Sequence, residues 1–93
     1  MDRRSHIEAR LRAELAASHV EVADESHLHA GHAGAASGGG HFRATVVSDR
    51  FAGLSRVARQ RLVYGALAAE MTSEIHALAM QTYTPEEWAS RAD

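Results

Sequence analysis

The sequence predicts an α+β domain whose elements run α-β-β-α-β-α, with a three-stranded sheet covered by helices on one face. Three observations point there. An apolar residue recurs at every fourth position near the N-terminus, two valine-rich stretches flank a Gly/Ala-rich segment, and a Thr-Pro-x-Glu word stands close to the C-terminus. Ninety-three residues suffice for one core and not for two, so residues 1–93 read as a single domain.

In "SHIEARLRAELAA", Ser5 and Glu8 have the Ser-x-x-Glu spacing of a capping box. Ile7, Leu11 and Leu15 form the apolar stripe of that first helix, with Arg and Glu on the outer faces. "HVEVADES" alternates Val20 and Val22 with Glu21, a short strand. A Gly/Ala-rich loop follows from about residue 26 to 40, longer than an ordinary hairpin connection and expected to be flexible. "HFRATVVSDRF" resumes a β pattern and should pair antiparallel with the first strand.

Ser55 predicts the N-cap of the main helix, in which Val57, Tyr64, Leu67 and Met71 share one face. Gln60 falls in that seam and is expected at its rim or with a hydrogen-bond partner. "IHALAMQTY" supplies the third strand. "TPEEWAS" places Thr84 at an N-cap, Pro85 at N1 and Glu87 at N3 of a last helix, whose Trp88 should fold back on the body.

Composition narrows the function. Zero Cys excludes disulfides and any site built from this chain's own thiolates. No apolar run approaches the roughly 20 residues of a membrane span, and "MDRRSHIEAR" contains no apolar signal core, so a cytoplasmic protein is expected. The formal charge is −2, and all ten basic residues are Arg. Such a balance argues against a dedicated nucleic-acid binder without excluding a local basic face. No nucleophile motif, phosphate loop or acid/base pair stands out, and the adjacent Asp24 and Glu25 would point to opposite sides of a strand. The chain does not read as an enzyme.

Four of the seven histidines, His27, His29, His32 and His41, lie in "DESHLHAGHAGAASGGGHF". Histidine is the commonest metal ligand. A Gly/Ala loop alone is nevertheless a poor metal site, because closing it round an ion costs much conformational entropy and it lacks rigid orienting partners. His6 and His19 read as ordinary polar residues. Gly31-His32-Ala33-Gly34 has the spacing of a KH backbone-gripping loop, but it lies between two strands instead of two helices, and "MTSE" after the main helix contains no Gly.

The words "DESHLH", "HFRATVVSDRFAGLSRVARQRLVY" and "EIHALAMQTYTPEEW", with the apolar spacing of the first helix, resemble the BolA family over most of residues 5–88. The resemblance implies a type II KH-like fold with a three-stranded sheet. It also implies two activities: partnering monothiol glutaredoxins in iron–sulfur chemistry, and regulating transcription in bacteria. It assigns His76, opening the third strand, as the signature cluster ligand, and His29, in the DES-x-x-H register, as the second. His27 or His32 could serve from the same loop, and His41 matches a further family histidine. The chain departs from the family at Arg59-Gln60-Arg61, where Arg-His-Arg is usual, which leaves these ligands untouched but weakens any role for a helix histidine.

A 2Fe–2S cluster takes four ligands, and imidazoles can replace two thiolates on one iron. A chain without Cys supplies only the imidazole half, and the resemblance names the glutaredoxin cysteine and glutathione as the thiolate half. Alone, the chain is then expected to be a monomer, apo and colourless. Imidazole must be neutral to bind, so occupancy should fall below about pH 6.5. The alternative is a DNA-binding transcriptional regulator using an Arg-bearing face with Arg50, Arg56 and Arg59. Arg59 and Arg61 lie about 200° apart on a helix and cannot share one surface.

Overall fold

The structure is a computed structural model that describes residues 2–29 and 39–91, apart from the side chains of Leu28 and His29. Helix α1 spans Arg3–Leu15 and β1 His19–Asp24, followed by a single 3-10 turn at Ser26–His29. Strand β2 (Gly40–Val47) leads through a 3-10 turn at Asp49–Phe51 into α2 (Arg56–Ala66) and the one-turn α3 (Ala68–Met71). Strand β3 (Ile75–Tyr83) and α4 (Pro85–Ser90) complete the α-β-β-α-β-α order. The sheet has the order β1-β2-β3, with β1 antiparallel and β3 parallel to β2.

Helix α1 begins three residues earlier than the capping-box spacing suggests. Asp2, not Ser5, is its N-cap, and the Asp2 carboxylate accepts a 2.7 Å hydrogen bond from the Ser5 backbone N–H. A carboxylate outcompetes a hydroxyl here because it also neutralises the positive helix end. Ile7, Leu11 and Leu15 are buried as the period of four requires. They pack with Val20, Val22, Phe42, Ala44 and Val46, which alternate toward the helices from β1 and β2. Buried Ser48 ties the layers together: its hydroxyl donates to the Leu15 carbonyl at 2.6 Å and accepts from the Arg50 N–H.

The main helix is capped by Ser55 as anticipated, but it turns a different face to the core. Val63, Ala66 and Leu67 are buried, whereas Val57 and Tyr64 are 55% and 42% exposed. The stripe Val57–Gln60–Tyr64 therefore looks outward, with Gln60 half-buried at its edge. Alanine accounts for the difference: Ala66 allows close approach, so the i, i+3, i+4 set 63-66-67 forms a tighter seam than the larger residues would. The helix is also broken at Leu67 (φ −109°, ψ 20°), so that Glu70 and half-buried Met71 belong to the separate turn α3.

At the C-terminus, Thr84 and Glu87 form the complete reciprocal capping box, with Pro85 at the helix start. Trp88 folds back on the sheet, stacking on His19 at 4.9 Å between centroids and meeting Tyr83 at 5.2 Å. Among the described residues, no helix is long and apolar enough to cross a membrane.

Leu67→Ala should therefore cost about 2–5 kcal/mol, while Val57→Ala should change stability by less than about 0.5 kcal/mol. Urea denaturation of the two variants checks which face of α2 is buried.

Candidate metal centre

The candidate centre is built by an irregularity in the parallel β2–β3 ladder. Gly40 pairs with Ile75, but the next residue, His41, pairs with Ala77, so His76 is an extra residue with no opposite number on β2. Ile75 and Leu78, three positions apart, both pack on the core, which strict two-residue alternation would forbid. The bulge absorbs the odd residue and turns His76 out of the core side. As a result the His76 and His41 rings meet at 5.2 Å between centroids, tilted by 47°. His76 is exposed; His41 is half-buried, with its Nε2 shielded from solvent.

The surrounding backbone is held by small and polar residues. A side chain on Gly39 would stand 2.9 Å from the His76 Cβ, so only glycine lets the chain pass this close. Gly40 donates its N–H to the Glu74 carbonyl. The Asp24-Glu25-Ser26 word fastens the beginning of the long loop to His41: Glu25 N–H donates to the His41 carbonyl at 2.8 Å, and His41 N–H donates to the Ser26 hydroxyl at 3.1 Å. Asp24 in turn accepts from the Ser26 N–H at 2.9 Å, and this hydrogen bonding by Ser26 holds the Asp24 carboxyl below its ordinary range. Glu25 pairs with Arg43 at 3.3 Å. Reading Asp24 and Glu25 only as a failed catalytic pair missed this anchoring role, which the Asx-turn spacing of Asp24 and Ser26 signals.

The backbone of His29 ends the 3-10 turn that this anchor starts, close to β2. The His29 side chain, all of His32 and the Gly31–Gly34 word lie outside the described residues, and His27 is exposed. The structure thus brings His41 and His76 together. His6 and His19 lie elsewhere, His19 against Trp88 and Glu21.

The arginines of the alternative reading lie at the other end of β3, about 20 Å away at roughly 3.3 Å per residue from His76 to Thr82. A groove of about 660 Å³ between α2 and β3 is lined by Arg56, Arg59, Gln60, Tyr83 and Glu87. The Arg59 side chain is only 13% exposed and is engaged on all sides. It makes a two-pronged pair with Glu87 (2.6 and 3.1 Å) and donates to the Leu54 and Thr82 carbonyls. Arg56 is exposed, and Arg50, also exposed, donates to the Glu14 carbonyl at 3.1 Å.

The sequence pattern of the BolA-like protein family matches residues 11–87. The chain belongs to the BolA-like family. It is 43% identical over 90 residues to the DNA-binding transcriptional regulator BolA of Escherichia coli, covering 97% of this chain and 83% of that protein. Mouse BolA-like protein 1 is 45% identical over 82 residues, or 88% of this chain and 58% of that one. Among solved structures, the BolA domain of SufE1 from Arabidopsis thaliana superposes with a TM-score of 0.81 at 40% identity, covering 94% of this BolA-like chain and 96% of the domain. That domain shares the mixed fold with a three-stranded sheet.

The Arg59–Glu87 pair generates a pH prediction. The hydrogen bonds from Arg59, followed by the Thr84 N–H, lower the Glu87 carboxyl from 4.5 to about 2. A depressed folded-state value stabilises the fold fully above the unfolded value, near 4.5, and the contribution disappears as pH falls toward 2. Wild type should be more stable than Glu87→Gln at neutral pH, and thermal melts should show the gap narrowing at about pH 3.

Proposed function

We propose that this BolA-like chain is the partner of a monothiol glutaredoxin, sharing with it a 2Fe–2S cluster for iron–sulfur assembly, transfer or iron sensing. His76 is the principal ligand, and His29 or His41 supplies the second nitrogen. One observation carries the reading: two imidazoles from neighbouring strands meet at 5.2 Å in a chain that has no thiol. That donor set fits half of a mixed nitrogen–thiolate cluster site and not a complete one. When bound, such a cluster supplies one-electron redox chemistry and a transferable iron–sulfur unit.

The chain's own residues have definable tasks. The β3 bulge holds the exposed His76 ring where an incoming partner can reach it, and Gly39 beside it keeps a side chain off the His76 Cβ. The Asp24-Glu25-Ser26 anchor fixes the beginning of the loop that carries His29, so that a second imidazole need search only a short radius. Thiolate ligands come from the glutaredoxin cysteine and glutathione. Held there, a cluster with two neutral imidazoles from this chain in place of two thiolates would carry less negative charge and a higher potential.

Visible circular dichroism of the chain mixed with cluster-loaded monothiol glutaredoxin and glutathione tests this. A new spectrum should appear, be lost in His76→Ala, and be altered in whichever of His29→Ala or His41→Ala removes the second ligand. No spectral change and no complex would refute the proposal.

A second reading has its own support: the Escherichia coli and Vibrio cholerae relatives, 43% and 49% identical, are named DNA-binding transcriptional regulators. With Arg59 committed to Glu87 and Arg50 donating one N–H to the Glu14 carbonyl, exposed Arg56 and the remaining N–H groups of Arg50 are the phosphate contacts this reading uses. If the chain binds DNA through them, its affinity should fall between low and physiological salt and be reduced for all sequences in Arg56→Gln. Fluorescence anisotropy with a duplex at two salt concentrations measures both.

A further inference from the structure

We infer that His6, Glu70 and Glu74 form a second metal site, for a divalent first-row cation of the zinc class, where α1 meets the turn leading into β3. The three residues come from α1, α3 and the residue just before β3. Their ligand atoms all lie within 4.8 Å of one another. His6 Nε2 is 2.7 Å from Glu70 Oε2 and 3.9 Å from Glu74 Oε2. Zinc bonds of about 2.0–2.1 Å in tetrahedral geometry require ligand separations of about 3.3–3.4 Å, a value these two distances bracket. All three ligand atoms lie within 4.8 Å of one another, so side-chain rotations that draw the widest pair in to the tetrahedral separation would complete three protein ligands, with water in the fourth position. Imidazole favours zinc-class ions over magnesium or calcium, which prefer all-oxygen shells.

The state of Glu70 is the second observation. Its side chain is only 7% exposed, and its Oε1 is buried with no hydrogen-bond partner among the described residues. A buried carboxylate oxygen without a partner is costly in such a position, and a cation bound there would offset that cost. The other charged neighbour is Arg10, whose Nε is 3.9 Å from Glu70 Oε2 while its Nη2 pairs with Glu14 at 3.3 Å. Two carboxylates against one guanidinium leave the locality net negative when His6 is neutral. Glu70 also accepts, at its backbone carbonyl, the Glu74 N–H at 2.8 Å, which fixes the spacing of the two carboxylates. The site is independent of the cluster proposal, although Glu74 stands two residues before His76.

The test is titration of the full chain with Zn²⁺, followed by calorimetry and thermal melting. A variant with His27, His29, His32, His41 and His76 all changed to Ala removes the competing imidazoles of the loop and the β2–β3 pair, leaving only His6 and the Trp88-stacked His19. It should still bind one equivalent of Zn²⁺ and melt higher in its presence. Adding Glu74→Gln, at a half-exposed position where folding should be unaffected, or His6→Gln should weaken binding at least about tenfold. In wild type, the first equivalent of Zn²⁺ should shift the His6 imidazole resonances in NMR spectra. Loss of all binding in the five-histidine variant with unshifted wild-type His6 resonances, or affinities unchanged by both Glu74→Gln and His6→Gln, would overturn the site.

Discussion

The parallel pairing of β2 with β3, and the single extra residue it accommodates, is the constraint on which this molecule depends. Parallel neighbours need a crossover, here α2 and α3, and that crossover buries Val63, Ala66 and Leu67 against the sheet and α1. Burial of Phe42, Ala44 and Val46 on one strand and Ile75, Leu78 and Met80 on the other leaves no freedom to slip the register. Since Ile75 and Leu78 must both face the core, the odd residue is expelled, and that residue is His76. The exposure of the candidate ligand is thus a by-product of core packing, since simple alternation back from Leu78 and Met80 would turn His76 toward the core.

Charge is organised around this frame in paired groups. Arg59 and Glu87 lock α2 to the start of α4, adding an ion pair to a capping box that Thr84 already completes. His6, Arg10 and the buried Glu70 join α1 to α3. Both contacts connect elements distant in sequence, so they orient the helices over the sheet more than they add stability, as expected where one or both partners remain in contact with water. Arg59 shows the consequence for function: an arginine that looks available on a helical wheel is occupied by Glu87 and two carbonyls. A cation is free for a ligand only after its internal partners have been counted.

The histidine pair and the arginine-lined groove occupy opposite ends of β3. That separation keeps the two surfaces structurally independent, because a change at one end leaves the other end's backbone in place. At the Tyr83 end of the sheet Trp88 stacks on His19 of β1 and meets Tyr83 of β3, bridging the two outer strands.

Local pattern alone determined most of the fold. The period-four stripe of α1, the alternation of β1 and β2, the bounds of β3 at Ile75 and Tyr83, the Ser55 cap and the Thr84–Glu87 box were all legible, because each depends on residues within a turn or two of one another. The presence of His76 at the head of β3 and of His41 at the head of β2 was equally legible. Only tertiary structure decided the rest. The outward stripe of α2 and the break at Leu67 depend on what the helix meets across the core, and a helical period cannot choose between two acceptable faces. The bulge that sets His76 against His41, the engagement of Arg59 and the meeting of His6 with Glu70 across 64 residues of sequence are products of long-range packing. No local spacing encodes them, since the partners become neighbours only when the crossover closes.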